Sequence, residues 1–287
     1  MRFVQINLAH ASLLSFIFVV CPLAGVAGSP RTNIRAPEKP QPEAARTVFS
    51  QEAASGLAAY NQGDFEAAVK SLKQATQKRQ DDATAWHFFA LAYNQLGKQK
   101  EARKAMEKAV VLRLFRLTPG GLGKKVKPWD ELSKEEKAER RREIAGRYRE
   151  ALTGVESYLQ LNPPAANFWR QQHEALSLHV KSEETPEAER EVFQGNDEGI
   201  VKAKIQYRPE PMYTETARGN GTSGSVILRG LLGADGKVKQ IIALLMLPDG
   251  LTEKAIEAMR KIKFTPATKD GRTVSQWVTV EYNFYVY

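Results

Sequence analysis

Residues 225–233 read SVILRGLLG and residues 237–246 read KVKQIIALLM, two strand-like runs divided by Asp235-Gly236. That dipeptide signals a hairpin, because both central residues of a tight reversed turn need positive φ. Downstream, Leu251, Ala255, Ala258, Met259 and Ile262 recur at helical spacing and predict an amphipathic helix over 251–262. Alternation then returns over 274–287. Val274, Val278, Val280, Tyr282, Phe284 and Val286 fall on or near one face, and Thr279, Glu281 and Asn283 fall opposite.

Geometry orders these elements. A hairpin makes the first two strands antiparallel, and a helical crossover returns the third strand parallel to the second. An all-antiparallel sheet therefore needs the first strand in the middle, as in a split β-α-β unit with the helix on one face. The last strand is expected at an edge.

The motifs strung along this region are Pro211-x-Tyr213-x-x-x-Ala217, Gly224-x-Val226-x-Leu228, Asp235-Gly236-x-Val238 and the run from Leu251 through Phe264 to Pro266-Ala267. Together they resemble the TonB C-terminal domain over most of residues 208–287. Thr214 stands where the family usually has proline, and Ile262 where it usually has tryptophan. The resemblance implies a periplasmic domain that binds outer-membrane receptors, a short receptor segment adding as a strand beside the C-terminal strand. On that reading Trp277, Val278, Thr279, Val280, Glu281, Tyr282 and Asn283 form the receptor-binding edge, flanked by Arg208, Pro211 and Tyr213. An exposed edge has unpaired N–H and C=O groups, so affinity comes from the main chain and selectivity from alternate side chains. The stretch Ile200-x-x-Ala203-x-Ile205-x-Tyr207 is apolar enough to cover that edge instead, and the residues leave both arrangements open.

Upstream the pattern is helical and repeats. Gly63 and Gly97 lie 34 residues apart, as do Ala68 and Ala102, Leu72 and Met106, and Ala75 and Ala109. With Trp86-x-x-Phe89-Ala90-x-x-Tyr93 this resembles the tetratricopeptide (TPR) repeat, a helix–turn–helix unit of that period. Small residues at Gly56, Ala68, Ala90 and Ala102 let paired helices approach, and the turn glycines permit reversal between them. Phe65, Leu72, Trp86 and Tyr93 are expected to fill the space between. A degraded third copy is expected with its turn at Gly146, because Gly146 and Ala151 repeat the Gly-to-Ala spacing. Ser133-x-x-Glu136 reads as a capping box opening its first helix, and residues 165–180 as a closing helix. Asn61 and Asn94 are candidates for polar contacts on a concave face. Whether the array binds a partner or serves as a rigid spacer is left open by the residues.

At the N-terminus, residues 13–27 (LLSFIFVVCPLAGVA) are apolar and end in small residues, as in a secretory signal peptide. A retained anchor is the alternative. The expected organisation is thus a multidomain chain: residues 1–27 signal peptide or anchor, 28–46 a proline-rich linker, 47–180 an all-α TPR-like array with an inserted loop over 114–131, 181–205 a linker, and 206–287 a small α+β domain with a three-stranded antiparallel sheet.

Composition narrows the function. The formal charge of +9 comes from 42 Lys+Arg against 33 Asp+Glu, but the signs are interleaved, as in Glu139-Arg140-Arg141-Arg142-Glu143. That mixing reads as solvated helix faces and argues against nucleic acid. Cys21 is the only cysteine, so neither a disulfide framework nor a thiolate cluster is available. Gly219-x-Gly221-x-x-Gly224 spells the dinucleotide fingerprint but precedes a strand instead of opening a helix, where the N–H groups must meet a pyrophosphate. No metal-ligand spacing, nucleophile elbow or Ser/His/Asp arrangement is present, so no cofactor and no catalysis are expected. The reading, with the resemblance, is a protein–protein interaction protein that docks to or energises outer-membrane receptors, the array serving as spacer or partner-binding module. Its partners would be a receptor peptide on the sheet and, on the array, inner-membrane motor proteins or a second periplasmic protein. A soluble periplasmic adaptor without energy transduction is the alternative.

Overall fold

Ser50 and Asp64 each open a helix by accepting from the backbone three residues on: Ser50 Oγ from Ala53 N at 3.1 Å and Asp64 Oδ1 from Ala67 N at 2.9 Å. In the computed structural model, which describes residues 50–119, 121, 127–186 and 189–285, these helices are α1 (Gln51–Asn61) and α2 (Phe65–Lys78). The expected signal segment and the whole of the proline-rich linker lie outside the described residues. Asp82 caps α3 (Ala83–Gln95) in the same way, and α4 (Gln99–Phe115) follows. Gly63 and Gly97 take φ of +80° and +71° in the two helix-to-helix turns, the backbone reversal expected of them. At Gly56 the helices approach so closely that a β-carbon would lie 2.5 Å from Leu72 Cγ.

The third repeat departs from expectation. Ser133 and Glu136 form the capping box, with Ser133 N donating to Glu136 Oε2 at 2.7 Å, but the helix they open runs unbroken as α5 (Lys134–Gln160). Gly146 sits inside it. Its neighbours Ala145, Arg147, Arg149 and Glu150 are good helix formers, and the Glu143–Arg147 ion pair spans it one turn to the next. Most of the residues that α5 buries (Tyr148, Ala151, Val155, Tyr158) lie C-terminal to Gly146. Helix α6 (Ala166–Glu184) closes the array against that half, with Tyr158 edge-on to Trp169 at 5.2 Å.

The chain past α6 is structured where a linker was expected. Strands β1 (Val192–Gln194), β2 (Ile200–Val201) and β3 (Lys204–Tyr207) precede the short helix α7 (Glu215–Asn220). Then come β4 (Gly224–Leu232), β5 (Val238–Leu245), α8 (Leu251–Arg260), β6 (Lys263–Thr265), β7 (Ala267–Lys269) and β8 (Arg272–Phe284). Gly221 ends α7 at φ +63° and Gly224 opens β4, so the glycine fingerprint does lead into a strand.

The sheet order is β2-β7-β8-β4-β5, with β1 lying parallel on β8. The first predicted strand, β4, is between the other two as the topology argument required. The hairpin turn differs. Only Gly236 has positive φ, Gly236 N donates to Gly233 O at 3.0 Å, and the loop is a turn closed by a left-handed glycine instead of a two-residue reversed turn.

Both faces of the sheet are buried. Val226, Leu228, Val280 and Tyr282 pack with Leu251, Ala255 and Met259 of α8. Gly230 leaves room there for Met259, whose Cε would be 2.2 Å from any β-carbon. Leu231, Ile242, Leu244 and Trp277 join the core of the helical array on the opposite side. Such two-sided burial explains the near-continuous apolar runs in β4 and β5.

Candidate functional site

A sheet docks an extended segment only through a flank whose N–H and C=O groups are unpaired, so the flanks decide the site. The outer flank of β5 is engaged by α6. Gln172 is 2% exposed; its Oε1 accepts from Ala243 N at 2.7 Å and its Nε2 donates to Ile241 O at 3.3 Å. The glutamine amide thus occupies β5 as a neighbouring peptide unit would.

On the opposite side, β8 is not an edge along its first half. Residues 272–274 pair with β7, and Ser275, Gln276 and Trp277 pair in parallel with Val192, Phe193 and Gln194 of β1. Trp277 therefore has strand partners on both sides, Leu231 and Gln194, and is not part of an open edge. From Val278 to Asn283, β8 pairs with β4 alone among the described residues. The apolar stretch expected to compete for this flank goes elsewhere: β2 pairs with β7, and β3 with β6.

The polarity of the remaining flank can be read from two bonds. Ser275 N donates to Glu191 O at 3.3 Å on the side away from β4, and Glu281 O accepts there from Arg208 Nη1 at 3.3 Å. Register with β4 is continuous between them, so Thr279, Glu281 and Asn283 turn their main-chain polar groups outward. The side chains of these three residues are exposed, while Val280 and Tyr282 point into the core.

Arg208 lies across this flank, its guanidinium 5.4 Å from the ring centroid of Tyr282. Tyr213 braces the far end, edge-on to Phe284 at 5.9 Å and donating through its hydroxyl to Thr222 O. Pro211 is half-buried between them in sequence. Burial pushes the Tyr282 hydroxyl up to about 12, the Arg208 charge opposing. The other two candidates lie apart from this edge, at the ends of α1 and α3. Asn94 Oδ1 accepts from Gln99 Nε2 at 2.8 Å, a local bond across the α3–α4 turn, and Asn61 is exposed.

Sequence reasoning missed a polar knot at the base of the open flank. Arg229 is the cross-strand neighbour of Thr279 on β4. Its Nη1 donates to Thr279 Oγ1 at 3.0 Å, its Nε to His179 Nε2 at 3.2 Å, and its Nη2 to Gln194 Oε1. His179 stacks on Tyr148 with centroids 3.6 Å apart and lies 5.0 Å from Trp277. Burial, then the Arg229 charge, holds its imidazole well below the usual histidine range. Nearby Glu183 is pushed up, by burial first and then by Asp197. The lone charge in an otherwise apolar β4 was the only sequence signal for this knot. Two cavities, of about 910 and 520 Å³, open beside it between the α4 end and the array-facing side of the sheet, and both reach Thr279.

Two family models match parts of the chain. Residues 209–286 match the family model for the Gram-negative bacterial TonB protein C-terminal, and residues 83–113 match a tetratricopeptide repeat model. The solution NMR structure of the Pseudomonas aeruginosa TonB CTD is 25% identical, covering 33% of this chain and 93% of that one, with a TM-score of 0.26. No curated protein matches the chain. Residues 209–286 thus take their place with the TonB C-terminal family, and residues 83–113 with the tetratricopeptide repeats.

Proposed function

We propose that this chain is an exported docking protein whose C-terminal sheet receives an extended segment of an outer-membrane receptor as an added strand along residues 278–283 of β8. The observation that carries the reading is the asymmetry of the flanks. β5 is held by Gln172 and the first half of β8 by β7 and β1, whereas residues 278–283 have a strand partner on one side only among the described residues. An added strand would take main-chain bonds from Thr279, Glu281 and Asn283 and displace the Arg208 guanidinium from Glu281 O. The helical array, packed on the far face of the sheet through Trp277 and Leu244, would hold that edge rigidly.

A photoreactive residue at Thr279 or Glu281 tests this against synthetic peptides from outer-membrane receptors, with Lys239 on β5 as the control position. Capture from Thr279 or Glu281 but not from Lys239 is expected. Efficient capture from Lys239 and none from the β8 positions refutes the assignment. Whether docking transmits force turns on residues 1–27, which lie outside the described residues. An intact Met1 in the inner-membrane fraction indicates transduction, and a mature start near Gly28 in the soluble periplasmic fraction indicates an adaptor.

A further inference from the structure

The open half of β8 borders a cleft on its array side. Thr279 and Glu281 line the smaller cavity with Phe115 at the end of α4 and Pro119 in the turn beyond it, and Val278 and Thr279 line the larger one. A strand added beside residues 278–283 would therefore direct every second side chain into this cleft.

The cleft is cationic: Lys127 pairs with Glu136 at 3.4 Å, but among the described residues Arg116, Arg140 and Arg229 have no carboxylate partner. Arg116, Lys127, Arg140, Arg147, Lys202 and Arg229 line the larger cavity, with Glu143 and Glu183 among its acids. Glu143 is taken by Arg147, and Glu183 accepts from the Gln194 amide. Arg141, also in the lining, is paired with Asp197 at 2.9 Å. Arg116 donates to Asp81 O at 2.9 Å and Arg140 to Lys127 O at 2.7 Å. All three of Arg229's bonds go to neutral acceptors. Guanidinium groups left on neutral acceptors in a partly desolvated cleft create a standing attraction for anions.

We propose, building on the docking reading above, that the partner strand is acidic: alternate Asp or Glu side chains of the added segment enter the cleft and pair with Arg116 and Arg140. The chain's own proline-rich stretch is a poor occupant by charge, since residues 28–46 contain Arg31, Arg35, Lys39 and Arg46 against Glu38 and Glu43. Like charges would meet there. An extended acidic peptide satisfies the flank and the cleft at once.

The test uses the full chain and two labelled octapeptides, one alternating valine with glutamate and one alternating valine with glutamine. Affinity is read by fluorescence anisotropy, and position by crosslinking from Thr279. Expected is about tenfold tighter binding of the glutamate peptide at low salt, with the gap closing at high salt. In Arg116→Gln/Arg140→Gln the gap should fall below about twofold while the glutamine peptide binds as before; unchanged thermal melting establishes that this variant is folded. Equal affinity for both peptides, each captured at Thr279, overturns the acidic preference and leaves the docking edge standing. Capture of neither overturns both. Heparin displacing the glutamate peptide without any capture at Thr279 identifies a general polyanion surface and overturns the proposal. Capture of residues 28–46 from Thr279 in the free protein overturns it as well.

Discussion

Gln172 on α6 and Ala243 on β5 are joined by a 2.7 Å bond from the strand N–H to the side-chain carbonyl, both residues being fully or nearly fully buried. One side chain thereby turns a sheet edge into an interior position and fastens the array to the sheet. Residues 278–283 of β8 likewise have a strand on one side only among the described residues, but there the outer main-chain bond is the one from Arg208 to Glu281 O.

Gln172→Leu should therefore orphan two buried backbone groups, Ala243 N–H and Ile241 C=O, without changing side-chain volume much. The expected loss is about 2–4 kcal/mol by denaturant unfolding. Light scattering should also report self-association, since β5 would regain an unpaired edge.

Proline separates the two sides of β8. Glu281→Pro removes an outward donor, so peptide capture should vanish while the melting temperature falls only slightly. Val280→Pro removes a donor facing β4 and should unfold the sheet. Equal stability losses in the two variants would mean that the outward register is misassigned.

Close helix approach and turn conformation can be told apart in the array. Gly56→Ala meets Leu72 and should cost about 1–3 kcal/mol, largely recovered in the double variant with Leu72→Val. Gly63→Ala meets nothing within 4 Å but is held at φ +80°, so about 1 kcal/mol should be lost with no rescue by Leu72→Val.

His87 ties the array to pH. Burial, then the Arg113 charge, pushes its imidazole down to about 4, and Arg113 Nη1 donates to its Nδ1 at 3.1 Å. The fold thus favours the neutral ring. Its contribution is fully present above about pH 6.5 and is lost as pH falls toward about 4, because the unfolded chain takes a proton that the folded chain refuses. The loss should reach a few kcal/mol in thermal or denaturant unfolding, and His87→Asn should flatten the slope over that window.

Much of this was legible along the chain. The Gly63 and Gly97 turns, the Ser133–Glu136 cap, the β4–β5 hairpin, α8 and the central place of β4 follow from local spacing and connection geometry. The turn at Gly146 did not form, because helix propensity on both sides outweighed one glycine. Strands as short as β1, β2 and β7 leave no period to detect: two or three residues alternate too briefly to differ from a loop.

What the sequence determined by itself was the order of elements, the apolar faces and the membership of residues 209–286, since each rests on neighbours within one or two turns or on a motif read in line. Only the tertiary structure decided which flank stays open. That choice depends on contacts between residues distant in sequence: Gln172 with Ala243, Gln194 with Trp277 and Arg208 with Glu281. A polar side chain gives no local sign of whether it will meet water or another strand's backbone, so the pairing of edges is settled only when the layers close on one another.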